Sequence, residues 1–270
     1  MSAIDLLFSK LRAAGKKALM PFVTAGDPDI AFTLELLRAC EQEGAALAEL
    51  GIPYSDPIAD GPVIQASYTR ALSSGVTVAG VLSRLAQIQP KLAMPVVTMV
   101  SYAIVLRHGL SRYIEQAQAA GVSGAIVPDL LLEEAGELAQ LCRKADFSLI
   151  QLVTPATPRD RALQIAELSS GFLYYVSVAG ITGERTKLPP QLVDNVGWLR
   201  ERTPLPICIG FGVSQPEHVR LLGPVSDGLI VGSAIVRRVA ECGQKSRAEV
   251  LADVRQFIGS LVQALPGAGR

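Results

Sequence analysis

The sequence predicts an α/β protein: a single (β/α)8 TIM barrel over residues 1–270, with an extra N-terminal helix and an insertion after strand 2. Three observations predict it. Eight short, apolar, β-branched runs alternate with longer amphipathic stretches along the chain. The runs are nearly continuous in apolar residues, as parallel strands covered on both faces require. The length of 270 residues suits a fold whose typical size is about 250. A doubly wound open sheet is the competing architecture, with about five to seven strands and a glycine fingerprint after the first. The segment GDPDIA that follows the first run supplies no such fingerprint.

In order along the chain, residues 2–13 form an amphipathic stretch read as a helix ahead of the barrel. The strand runs are ALMPFVT (18–24), LAELGIP (47–53), PVVTMVS (95–101), SGAIVPD (123–129), SLIQLVT (148–154), GFLYYVSV (171–178), PICIGFG (206–212) and GLIVGSA (228–234). Between them, AFTLELLRACEQEG, VTVAGVLSRLAQIQ, LSRYIEQAQAAG, LEEAGELAQLCRKA and RDRALQIAELSS repeat apolar residues at three and four, the period of a helix packed on one face. Several end in Gly or a basic residue, which suits a helix C-terminus. The insertion runs from Gly61 to about Ser74 and is expected to carry a short helix.

Composition narrows the function. The chain is 49% apolar and 19% charged with a formal net charge of zero, enough for a large core and no basic block to attract nucleic acid or an anionic membrane. The N-terminus lacks the apolar core and cleavage site of a signal peptide, and no apolar run reaches the ~18 residues of a spanning helix. Cys40, Cys142, Cys208 and Cys242 form no CxxC pair and read as reduced thiols of a cytoplasmic protein. With His108 and His218 as the two histidines, no histidine-rich metal site is expected. Both are expected to be solvated. None of the seven lysines ends a strand run on the inward face, which argues against a Schiff-base aldolase.

A barrel of this kind places its chemistry at the C-terminal ends of its strands. Glu49 falls near the end of the second run, and alternation puts Leu47, Glu49 and Gly51 on one face, taken as the interior. A buried carboxylate without a partner costs about several kcal/mol before its pKa shifts, so Glu49 asks for a reason. An ion pair is one, but no strand run contains Lys or Arg. Asp60 follows in a loop stiffened by prolines, where Ala-Asp-Gly-Pro is also good turn chemistry. Late in the chain, GITGER, GFGVS and VGSAIV follow successive strand runs. Gly183, Gly212, Gly232 and Ser233 there offer N–H and hydroxyl donors to a phosphate, although glycines also merely turn a chain. Phe22, Tyr102, Tyr174 and Phe211 stand at or near strand ends, where they line either a flat apolar pocket or the core.

Together ELGIPYSDPIADGPVIQ (49–65), PFVTAGDPD (21–29), VSVAGITGER (176–185), GFGVS (210–214) and GSAIV (232–236) resemble, in order, the alpha subunit of tryptophan synthase. The resemblance runs from about residue 17 to the last helix. It implies retro-aldol cleavage of indole-3-glycerol phosphate to indole and glyceraldehyde 3-phosphate, in L-tryptophan biosynthesis. By resemblance Glu49 is the acid and base that shuttles protons, and Asp60 accepts the indole N–H. Thr182 and Gly183 fall in a closing loop, Tyr174 lies near Glu49 and substrate, and the phosphate sits on Gly183, Gly212, Gly232 and Ser233. Pro53, Ser55 and Asp56 would face a beta subunit in an alpha2beta2 assembly. That partner carries the pyridoxal phosphate (PLP); this chain is expected to bind no cofactor. Ile104, Leu131 and Val178-Ala179 depart from the family pattern, the first two bearing on the interface or neighbouring loops and the third on the closing loop. Two other enzymatic readings are a different phosphate-binding barrel, such as a phosphoribosyl isomerase or cyclase, and an indole-releasing lyase that works alone. A third is a catalytically feeble subunit kept to activate a partner.

Overall fold

The computed structural model describes residues 1–58, 60–88, 92–176, 190–210 and 212–267. Its strands are β1 (Ala18–Thr24), β2 (Ala48–Gly51), β3 (Val96–Met99), β4 (Val122–Ile126), β5 (Ser148–Ile150 and Leu152–Val153, two segments on either side of Gln151), β6 (Leu173–Val176), β7 (Ile207–Gly210) and β8 (Gly228–Val231). Every pairing is parallel. The first segment of β5 pairs with β4 and the second with β6. The sheet therefore runs from one half of β5 round to the other, which closes the barrel.

The eight strand runs read from the sequence each hold one strand, with the first identical in extent. Among the described residues β2, β3, β4, β5 and β8 stop short of the end of their runs, and β4 begins at Val122, just ahead of its run. The reason is that the apolar runs continue into the loops beyond the strands. In the run Pro95–Ser101, for example, Val96–Met99 form the strand and Val100 adds one N–H bond to Ile126 O.

Alternation sorts the buried residues into two layers. Leu19, Val23, Ala48, Leu50, Val96, Leu149 and Leu229 point outward and pack under the helices. Ala18, Met20, Leu47, Val97, Ile126, Ile150, Tyr174, Cys208 and Ile230 fill the interior. The N-terminal helix Ala3–Ala13 joins that inner layer through Ile4 and Phe8, and the Phe8 ring tilts against Phe172 with centroids 5.9 Å apart. Ser2 caps the helix in a reciprocal box with Asp5, and its hydroxyl accepts from Ser148 Oγ at 2.9 Å. The helix thus stoppers one end of the barrel and leaves the other for the site.

The insertion after β2 carries helix Pro62–Ser73, with Gly61 before it and proline at its first turn. Two polar contacts fix it to the end of β1 and the loop that follows. Thr24 Oγ1 and Ser67 Oγ share a 2.7 Å hydrogen bond in the core. Arg70 grips the buried Asp27 carboxylate with both Nε (2.9 Å) and Nη2 (2.6 Å). No helix among the described residues is long and apolar enough to cross a membrane.

Candidate active site

Glu49 lies on β2 directly in register with Phe22 on β1 and Val97 on β3. It is 0% exposed, and neither carboxylate oxygen has a hydrogen-bond partner among the described residues. No ion pair from those residues reaches it. Burial pushes its pKa well above the ordinary value of 4.5, so the carboxyl is held protonated where a free glutamate ionises. Asp60, in the loop between β2 and helix Pro62–Ser73, is only partly buried. Burial raises its pKa from 3.8 to about 6. Pro57 O accepts from its backbone N–H at 3.1 Å, and its carbonyl accepts from Gln65 Nε2 at 2.8 Å. These contacts hold the loop, and no described residue hydrogen-bonds the carboxylate. Two carboxyl groups thus share one end of the barrel with their protonation set apart by different burial.

Aromatic rings enclose the space around them. Phe22, Ile64, Tyr68 and Val236 form a small buried cluster that Tyr54 and Met99 flank. Tyr174, on β6, is buried, and its phenol is pushed well up by burial first and then by the charges of Glu49 and Asp60. It therefore stands close to both. Two glycines make room for these rings. A Cβ on Gly51 would lie 2.4 Å from Phe22 Cζ, and one on Gly210 would lie 2.3 Å from the Tyr174 hydroxyl.

The profile described as "Tryptophan synthase alpha chain" matches residues 8–265. The chain belongs to the tryptophan synthase alpha chain family. A Rhodopirellula baltica tryptophan synthase alpha chain is 58% identical, with 99% of this chain and 100% of that one covered. One from Caldanaerobacter subterraneus subsp. tengcongensis is 43% identical, covering 98% and 100%. The solved alpha subunit of Legionella pneumophila str. Paris superposes with a TM-score of 0.89 at 33% identity, over 98% of each chain. A chain of the Pyrococcus furiosus a2b2 complex, described for its mutual activation, gives 0.83 at 35% identity over 91% of this chain and 98% of that one.

Gly212 and Gly232 stand just beyond the ends of the paired strands β7 and β8. Gly212 has φ +84°, a conformation glycine adopts without strain. Gly232 precedes Ser233, the first residue of helix Ser233–Val239. Thr182, Gly183 and Phe211, expected beside them, lie outside the described residues, as do Val178 and Ala179. Tyr102 is not brought to the ring of aromatics. It begins helix Tyr102–His108 and packs, partly exposed, against the outer layer.

Both histidines differ from expectation. His218 is buried in helix Pro216–Leu222 and braces the loop after β7: its Nδ1 lies 3.1 Å from Gly212 O and 3.3 Å from Ser214 N. One tautomer donates to the first, the other accepts from the second. His108 is half-buried, with Nε2 2.6 Å from Gln116 Oε1 and its ring edge-on to Tyr113. Neither cover leaves a mark in the sequence: the loop after β7 closes on His218, and the helix Leu110–Ala119 covers His108. Asp129 was also missed. It accepts from Ser101 Oγ at 2.6 Å and Tyr102 N at 2.7 Å, and so caps the helix after β3.

Outside the barrel mouth, Pro53 is buried whereas Ser55 and Asp56 are exposed, the Ser55 hydroxyl donating to Asp56 Oδ2 at 2.8 Å. Ser55 and Asp56 border a surface groove with Tyr54, Ile58, Ile104, Arg107 and Asp129. Ile58 is 91% exposed, and Leu131 and Leu106 are each 57% exposed. No group of three His, Cys, Asp or Glu side chains able to hold a metal occurs among the described residues.

Proposed function

We propose that Glu49 and Asp60 carry the reaction of this tryptophan synthase alpha chain, the retro-aldol cleavage of indole-3-glycerol phosphate to indole and glyceraldehyde 3-phosphate. The observation behind the assignment is the fully buried Glu49 carboxyl, which has no partner for either oxygen among the described residues and is kept protonated by burial. It gives its proton to C3 of the indole ring, which leaves an indolenine cation with the positive charge centred on the ring nitrogen. The Glu49 carboxylate so formed then takes the proton of the hydroxyl on the adjacent glycerol carbon. The C–C bond breaks, its electron pair returns to the ring as the aldehyde forms, and Glu49 ends protonated as it began. Asp60, whose pKa of about 6 leaves it ionised near neutrality, accepts the indole N–H and stabilises the cation. Such a shuttle commonly contributes roughly 10²–10⁴ in rate.

In this reading Phe22, Tyr174 and Phe211 flank the indole, while Gly183, Gly212, Gly232 and Ser233 receive the phosphate. Thr182 belongs to a loop that closes over the site. Pro53, Ser55 and Asp56, with the exposed Ile58 beside them, face a beta subunit in an alpha2beta2 assembly. The beta subunit holds the pyridoxal phosphate and consumes the indole; the alpha chain works in the cytoplasm with side chains alone. The test is indole release from indole-3-glycerol phosphate by the purified chain, without and then with a matching beta subunit. Slow release that rises strongly with the partner supports the reading, and no release in either case returns the site to another phosphate-binding barrel chemistry.

A further inference from the structure

One buried polar group in this site has no part in the mechanism above. Tyr68 is 1% exposed on the inner side of helix Pro62–Ser73, the helix that starts two residues after Asp60. Its ring tilts against Tyr54, centroids 5.7 Å apart, and packs with Phe22, Ile64 and Val236. The hydroxyl lies over Gly51, where a Cβ would meet it at 2.9 Å. Gly51 is two residues beyond Glu49 on the same inward face of β2. The hydroxyl therefore sits at the inward face of β2, within electrostatic reach of both carboxyl groups. Among the described residues it makes no hydrogen bond, although a buried tyrosine hydroxyl usually finds a partner. Burial pushes the phenol well up, and Asp60, Tyr54 and Glu49 add to the shift. It remains a neutral O–H, able to donate.

We propose that Tyr68 is a further catalytic residue: its hydroxyl donates a hydrogen bond to the glycerol oxygen that becomes the aldehyde carbonyl. The inference rests on the roles given above to Glu49 and Asp60, and the chemistry of the substrate selects this oxygen. The indole nucleus has one polar group, an N–H donor, which Asp60 takes. A second donor at the inward face of β2 needs an acceptor. The nearest one to ring C3 is the hydroxyl oxygen on the adjoining carbon, the same atom Glu49 deprotonates. As that proton leaves and the C–C bond breaks, the oxygen carries transient negative charge, and a fixed donor in a water-poor site stabilises it. Tyr68 transfers no proton. Glu49 still gives one to carbon and receives one from oxygen.

Tyr68→Phe keeps the ring and its packing and removes only the hydroxyl. In the complex with the beta subunit, kcat should fall at least about tenfold while KM stays within about threefold, since the bond strengthens in the transition state. Thermal stability should match the wild type. The Kd of indole-3-glycerol phosphate, measured on Glu49→Gln with and without Tyr68→Phe, should change by less than about threefold. A kcat within about twofold of wild type overturns the inference. So does a loss matched by weaker binding or by a lower melting temperature, because the hydroxyl then serves packing or affinity alone. The parent reading fails differently: Glu49→Gln would itself turn over normally.

Discussion

Phe22 faces Glu49 in register across β1 and β2, and the carboxyl group beside that ring has no partner for either oxygen among the described residues. An apolar wall on one side and missing hydrogen bonds on the other are what hold the proton on Glu49. Glu49→Gln keeps the shape and removes the transferable proton. Its turnover should drop by roughly 10³ or more, with substrate still bound in a direct titration. Near-normal turnover would sink the shuttle role.

The same variant should reverse a cost in stability. In the folded chain Glu49 keeps its proton at pH values where the unfolded chain, near 4.5, has released it. The unfolded state then binds fewer protons, so stability falls as pH rises from about 4.5 towards the raised folded value, by up to about 1.4 kcal/mol per pH unit. Glutamine has no proton to lose. Melting curves of the wild type and Glu49→Gln should therefore diverge with rising pH, in favour of the variant. Parallel curves would mean that Glu49 titrates as an ordinary carboxyl.

Asp60 should set the acid limit of the reaction. Its raised pKa, about 6, means that it gains a proton and loses its charge below that pH, so kcat/KM should fall there. The substrate phosphate has its second ionisation near ~6 as well, so the carboxyl needs to be followed directly. A ¹³C titration of Asp60 in the free chain should give a midpoint near 6; one near 3.8 would refute the burial argument. Asp60→Asn keeps the size but removes the charge, and kcat should fall about 10²-fold or more.

How much of this was legible beforehand follows from the kind of signal each feature leaves. Glu49 could be found because a charge in an apolar strand run breaks a pattern of period two, and the order of the barrel strands because each run is a separate apolar block. Tyr68 leaves no such mark. In VIQASYTRAL it reads as one more apolar position of a helix, and its place over Gly51 exists only once that helix is tied to β1. His218 illustrates the opposite error. A histidine after Gln-Pro-Glu looks like a solvated helix start, but the loop after β7 folds back and buries it against Gly212.

Gly51 offers a steric test that needs no assumption about proton transfer. A methyl group there would fall 2.4 Å from Phe22 Cζ, 2.7 Å from Phe22 Cε2 and 2.9 Å from the Tyr68 hydroxyl. Ring and phenol must both shift. Gly51→Ala should cost about 1–3 kcal/mol in stability and should also raise KM at temperatures well below its melting point. Unchanged KM would mean that Phe22 does not bound the substrate pocket.

The last test concerns what holds Asp60 over the barrel. Helix Pro62–Ser73 follows it directly, and the bidentate grip of Arg70 on Asp27 ties that helix to the loop after β1. Asp27 is 2% exposed whereas the Arg70 side chain is 38% exposed, so the pair is screened on one side only. Arg70→Ala strands the buried carboxylate. Its cost should be about 2 kcal/mol, below the ~3–5 of a fully buried pair. Because the helix then loses one of its two described polar ties to β1 and the loop after it, the other being Thr24–Ser67, Asp60 should be positioned less well and kcat should fall although Arg70 touches no reacting atom. Arg70→Lys keeps the charge without the fork and should recover stability better than turnover. If Arg70→Ala loses stability with kcat unchanged, the grip braces the fold and has no part in placing Asp60.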